Sequence, residues 1–156
     1  MVVAQVKERA GLLVEREPGV YAFPHRTFQE YLAACHLTDR DYPDRVADLA
    51  RTAPDRWREV ALLAGAKAAR GAKAAAWQLA DALCFRSPDD AQADAADRWG
   101  AQLASRLLVE SASLASVTEA NRPKLKRVRS GLLALMGGDA MPAGERALAG
   151  NSLAVL

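Results

Sequence analysis

The chain has 156 residues, 51% of them hydrophobic and 26% charged, which makes it globular and excludes a disordered tail. A formal net charge of +2 is too small to select nucleic acid or an anionic membrane as partner. No apolar run approaches the ~20 residues that span a bilayer, and Cys35 and Cys84, which lack a C-x-x-C neighbour, exclude a disulfide framework or a zinc site.

Both cysteines fall inside apolar helical patterns and read as reduced thiols in or near the core. The first residues, Met1 to Arg9, lack the apolar core of a signal peptide, so a soluble cytoplasmic protein with no membrane partner is expected. Val2, Val3, Val6 and Ala10 recur at helical spacing, which predicts an opening helix that ends at Gly11. Leu12 to Arg16 and Val20 to Phe23 are β-prone runs around Glu17-Pro18-Gly19, where proline presets φ and glycine accepts a positive φ. From Arg26 onward the chain is rich in Ala, Leu and Arg, which favours helix over strand.

Punctuation divides that helical region. The stretch Thr38 to Pro43 ends the first long helix, and Val46, Leu49 and Ala50 mark a short second one that stops before Pro54. Trp57, Val60, Ala61 and Ala64 share one face of a third, ending near Arg70-Gly71, and Ala72 to Phe85 forms a fourth. Ser87-Pro88-Asp89-Asp90 reads as the start of a fifth helix that runs to about Glu110, with a capping serine, proline at the first helical position and acids in the first turn. Leu125, Val128, Leu132 and Leu135 predict a sixth, closed by Gly137-Gly138; a seventh starts near Pro142 and is still running at Leu156. Trp57, Trp77 and Trp99 are spaced by roughly one helix and its connection, which suits either stacked helical hairpins or three large core anchors; the surrounding residues do not repeat, so core anchors are the preferred reading.

The chemistry-bearing residues are few. No G-x-x-x-x-G-K-[ST] run occurs, and Gly65-Ala66-Lys67 and Gly71-Ala72-Lys73 lack the residues that would cradle phosphates and hold magnesium. The only histidines, His25 and His36, are too few for a metal centre, and no metal site and no catalytic residue is expected. Among Asp89, Asp90, Asp94 and Asp97, the first two are expected to complement a helix N-terminus and the others to lie on a solvated face. His25 stands where a strand runs into a helix, flanked by Phe23 and Phe28 and followed by Arg26, a setting in which backbone N–H groups favour an anion. A capping or packed histidine is the plainer reading of such a position; an imidazole that donates to a phosphate oxygen is the sharper one.

The stretch Phe23-x-His25-x-Thr27-Phe28-Gln29-Glu30-Tyr31-Leu32-Ala33-Ala34 resembles the segment that closes the winged-helix domain of NACHT-type STAND NTPases, the group that includes NOD-like receptors and bacterial defence proteins. Gly11-Leu12-Leu13-Val14-Glu15-Arg16 and Val20-Tyr21-Ala22-Phe23 resemble its hairpin, and Trp57-Arg58-Glu59-Val60 with Leu62-Leu63-Ala64-Gly65 resembles the first helices after it. The resemblance implies that His25 reaches the β-phosphate of ADP when a nucleotide domain is present, and that Thr27 to Leu37 carries nucleotide state into the helices beyond. It also implies an upstream nucleotide-binding domain as partner, with ADP or ATP as cofactor of the longer protein and none on this chain. Gly144 to Leu156 resembles the helix that precedes a formylglycine-generating-enzyme-like or other sensor domain. The longer protein would be an ATPase; this chain would be a non-catalytic regulatory segment in signal transduction and defence, coupling nucleotide state to partner sensing and oligomerisation.

The expected architecture is mainly α: a winged-helix remnant with a β-hairpin over 1–37, then a helical array over 41–156, HEAT-like or an α-α superhelix, continuing into a further C-terminal domain. The hairpin and the last helix are expected to expose apolar surface meant for neighbours. Arg122, Lys124, Lys126, Arg127 and Arg129 lie in one basic run. A solvated helix face is its default reading, and an interaction surface for an acidic partner or for nucleic acid is the sharper one. Nucleic acid is not the expected partner, because the helices around the wing are apolar or mixed in charge. Two alternatives in other classes are a helical scaffold for protein-protein interaction and a winged-helix DNA-binding regulator.

Overall fold

The structure, a computed structural model, describes residues 13–156; the opening helix predicted over Val2 to Ala10 lies outside them. Strands β1 (Val14–Glu17) and β2 (Val20–Ala22) pair antiparallel, Val14 opposite Ala22, Glu15 opposite Tyr21 and Glu17 opposite Val20, with an irregularity between Glu15 and Glu17. The turn needs Gly19, whose φ of 78° is costly for a residue with a Cβ; its N–H donates to Glu15 Oε1 at 3.0 Å. Neither strand is buried. A two-stranded hairpin is marginal in water by itself, so this one depends on what flanks it.

The rest of the described chain is helical: α1 (Arg26–Arg40), α2 (Asp44–Thr52), α3 (Pro54–Gly71), α4 (Ala74–Leu83), α5 (Ala95–Ser111), α6 (Arg122–Gly137) and α7 (Ala143–Val155), with a 3₁₀ turn at Leu114–Ser116. The protein is mainly α, as the sequence predicts. Most helices pack on neighbours one or two places along the chain: α1, α3, α5 and α7 meet in succession, and α2 lies against α3, α4 and α5. Helix α5 is the centre, touching α2, α3, α4, α6 and α7, and is buried on nearly every side through Gly100 to Ser105, Leu107 and Leu108. Close approach there depends on small residues. A Cβ on Gly100 would stand 2.0 Å from the Leu83 carbonyl oxygen, and one on Gly131 would stand 2.7 Å from Ala101 Cβ.

The core is leucine and alanine, with Leu79, Leu83, Leu103, Leu107, Leu108 and Leu132 fully enclosed. Trp77 is buried, and Trp57 and Trp99 are partly buried against the same core, which bears out their reading as anchors. Large apolar side chains remain exposed at two ends. Val14, Val20, Tyr21, Phe28, Tyr31 and Leu32 lie on the hairpin and α1, while Leu133, Met136, Leu148 and Val155 lie on α6 and α7.

Two boundaries differ from the sequence reading. Helix α1 runs past Thr38 to Arg40; the Thr38 hydroxyl is accommodated inside it by donating to the Ala34 carbonyl at 2.6 Å. The Ser87-Pro88-Asp89-Asp90 start signal opens only a turn. Helix α5 begins eight residues later than Ser87, at Ala95, capped by Asp94, whose carboxylate accepts the Asp97 N–H at 3.0 Å while the Asp97 carboxylate accepts the Asp94 N–H at 3.1 Å. That reciprocal pair is a stronger start signal than a lone serine and proline.

Candidate functional site

The hairpin delivers the chain to α1 through His25, which occupies the N-cap position with extended backbone, φ −126° and ψ 132°. Its carbonyl accepts the Phe28 N–H at 3.2 Å. The imidazole makes no capping hydrogen bond. It stands edge-on to the Phe28 ring, centroids 5.7 Å apart, and is exposed. No acid occupies the first turn of α1, so nothing on the helix neutralises the positive end of its dipole. An exposed imidazole thus stands at a helix start whose dipole favours an anionic oxygen.

Arg26 anchors this corner to the helical body. Its Nε meets Glu30 Oε1 at 2.6 Å and its Nη2 donates to the Asp55 carbonyl at 3.2 Å, joining the starts of α1 and α3. A groove of about 410 Å³ runs alongside, lined by Arg26, Gln29, Glu30, Asp55 and Trp57 among others. At the far end of α1, Lys67 of α3 meets Asp39 at 2.5 Å. Helix α1 is therefore held to α3 at both ends.

Residues 1–37 match the winged helix-turn-helix domain C-terminal to NACHT. The match covers the hairpin, His25 and α1 as far as Leu37, and supports a NACHT-associated protein. The NACHT-associated winged helix is a non-catalytic module by this description, and among the described residues no group of three or more His, Cys, Asp or Glu side chains is placed to hold a metal ion. No curated protein and no solved structure matches the chain. No helix of the described residues is long and apolar enough to cross a membrane.

The basic run on α6 is mostly engaged within the fold, away from the NACHT-associated winged helix. Arg127 pairs with Asp81 and donates from Nε to the Cys84 carbonyl at 2.5 Å, while Lys124 also reaches Asp81, at 3.4 Å. Arg129 donates to the Leu156 carbonyl, and Arg122 meets Glu119 at 2.5 Å. Lys126 is exposed and pairs with none of the described residues. Both cysteines are free thiols, Cys84 buried and Cys35 half-buried. Burial pushes the Cys84 thiol up to about 11.

A second polar cluster was not visible in the sequence. Asp97, expected on a solvated face, has a side chain only 9% exposed and receives Arg51 Nη2 at 2.5 Å and Arg86 Nη1 at 3.2 Å. The Arg51 guanidinium lies 4.1 Å from the centre of the Phe85 ring. The Asp94-x-x-Asp97 spacing was the available signal, since a capping pair predicts that Asp97 bonds inward. Asp94 itself, held by the backbone N–H of Asp97 first and then that of Ala96, has its carboxyl below the ordinary carboxylate range.

Proposed function

We propose that this chain is the regulatory end of a NACHT-type signalling NTPase, in which His25 donates to the β-phosphate of ADP bound in the NACHT domain and thereby holds the inactive state. One observation carries the reading. Within the matched segment, the imidazole is exposed at the hairpin-to-helix corner and makes no hydrogen bond to any of the described residues. The exposed apolar residues of the hairpin and α1 supply a face on which a nucleotide domain can seat. Helix α1, tied to α3 through Arg26 and Lys67, links that corner mechanically to the helical array, so loss of the phosphate contact shifts the array relative to the nucleotide domain. Sensing and oligomerisation follow from that shift.

A DNA-binding reading draws less support, because the basic run spends most of its cations on Asp81, Glu119 and two carbonyl groups. The test is made in the protein that carries the NACHT domain. His25→Ala speeds ADP release about tenfold, the loss expected for one hydrogen bond to a charged group, and raises the oligomeric fraction on size-exclusion chromatography. Unchanged ADP retention together with unchanged oligomeric state refutes the role.

A further inference from the structure

A cavity of about 270 Å³ lies between the α4–α5 connection and the helices α5 and α6, distinct from the His25 corner. Ala101 of α5, Gly131, Ala134 and Leu135 of α6 and the neighbouring Ala140 give it an apolar side without a polar side-chain atom. Ala101, Gly131 and Leu135 belong to the core. Ser87 and Asp90 of the connection, with Arg86, Asp97 and Arg98, form the polar side.

Arg98 is set apart from the other arginines that the fold shelters. Among the described residues, Arg51, Arg58, Arg86, Arg106, Arg127 and Arg146 are buried or half-buried, and each meets a carboxylate. Arg98 is half-buried too, yet its guanidinium has neither an ion pair nor a hydrogen bond to any described residue. The acids that share its cavity are engaged. Asp97 accepts from Arg51, Arg86 and the Asp94 N–H, and Asp90 Oδ1 accepts the Gln92 N–H at 2.9 Å.

These features set the chemistry of an occupant. A planar guanidinium fork matches a carboxylate through two parallel N–H donors. A phosphate would bring a second negative charge toward Asp90 and Asp97 with one free cation to answer it. The rest of the molecule must be apolar, because a polar group laid on the alanine and glycine side would lose its water without gaining a partner. The volume falls just below the roughly 300–1,000 Å³ of sites for drug-sized ligands, so the body is a short alkyl chain or a single ring.

We propose that this cavity binds a small organic monocarboxylate, its carboxylate on the Arg98 guanidinium and its apolar body against Ala101, Gly131 and Ala134. The site is independent of the nucleotide reading and is tested on this chain directly.

Titration with octanoate, followed through the backbone amide resonances, reads the proposal, with octanamide and inorganic phosphate as comparators. Octanoate shifts the amides of Ser87, Ala101 and Gly131 saturably; octanamide, with the same body and no charge, binds about tenfold more weakly, and phosphate gives no saturable shift. Arg98→Gln weakens octanoate about tenfold and leaves the melting temperature within about 2 °C of the parent, because no internal partner is lost. Ala134→Leu, at an exposed position on the apolar side, fills the space and abolishes binding. Equal binding of octanamide, undiminished octanoate affinity in Arg98→Gln, or octanoate shifts confined to the exposed apolar residues of α1 and α7 overturns the proposal.

Discussion

Replacing Asp97 by alanine tests the main departure from the sequence reading, the burial of a charge cluster beneath the α4–α5 connection. The Asp97 carboxylate accepts from Arg51 at 2.5 Å, from Arg86 at 3.2 Å and from the Asp94 N–H at 3.1 Å. Arg51 and Asp97 are each 9% exposed at the side chain, so truncation leaves the Arg51 guanidinium buried with neither of its Nη groups satisfied. Removing one partner of a buried pair costs about 3–5 kcal/mol. At roughly 2–4 °C per kcal/mol for a chain of this size, the melting temperature followed by circular dichroism falls by about 6–20 °C. An aspartate on a solvated face would change stability by no more than about 0.5 kcal/mol. The double variant Arg51→Met, Asp97→Leu removes both charges together and recovers most of the loss, since well-packed apolar side chains can replace a buried pair at little cost. A melting temperature for Asp97→Ala within about 2 °C of the parent refutes the buried-cluster argument.

Three further predictions concern α6 and the cysteines. Arg127→Ala lowers urea stability by about 1–3 kcal/mol, because it strands the Cys84 carbonyl and leaves Asp81 only its longer contact with Lys124, whereas Lys126→Ala stays within about 0.5 kcal/mol; equal effects would mean that the basic run is solvated along its whole length. In the native protein Cys84 is labelled by a thiol reagent far more slowly than Cys35, as read by mass spectrometry, and comparable rates would contradict its burial. Because the folded Cys84 thiol keeps its proton to about pH 11 while an unfolded thiol loses it near 9.0, its ionisation lowers stability as pH rises across that interval.

Much of the fold was legible in local pattern. Glu17-Pro18-Gly19 makes the turn it predicts because proline and glycine restrict or release φ regardless of what surrounds them. Pro54 opens its helix for the same reason. His25 falls at the hairpin-to-helix junction because extended β-prone residues precede it and a helical pattern follows. The Ser87 signal failed where two local starts competed, and the reciprocal bonds of Asp94 and Asp97 outmatched it.

The burial of charge was decided only by packing. Arg51 and Asp97 are 46 residues apart, as are Arg127 and Asp81, and nothing in the periodicity around either partner reveals the other. A carboxylate on an isolated α5 would be solvated, and becomes a buried acceptor only when α2 and the α4–α5 connection close over it. Gly100 shows the same division. As a residue it reads as a mild weakness in a helix, but its missing Cβ is what allows the Leu83 carbonyl to lie against α5. Local sequence sets where each helix begins and ends through short-range sterics and hydrogen bonding, while the environment of each charged side chain depends on which distant helices the core brings against it.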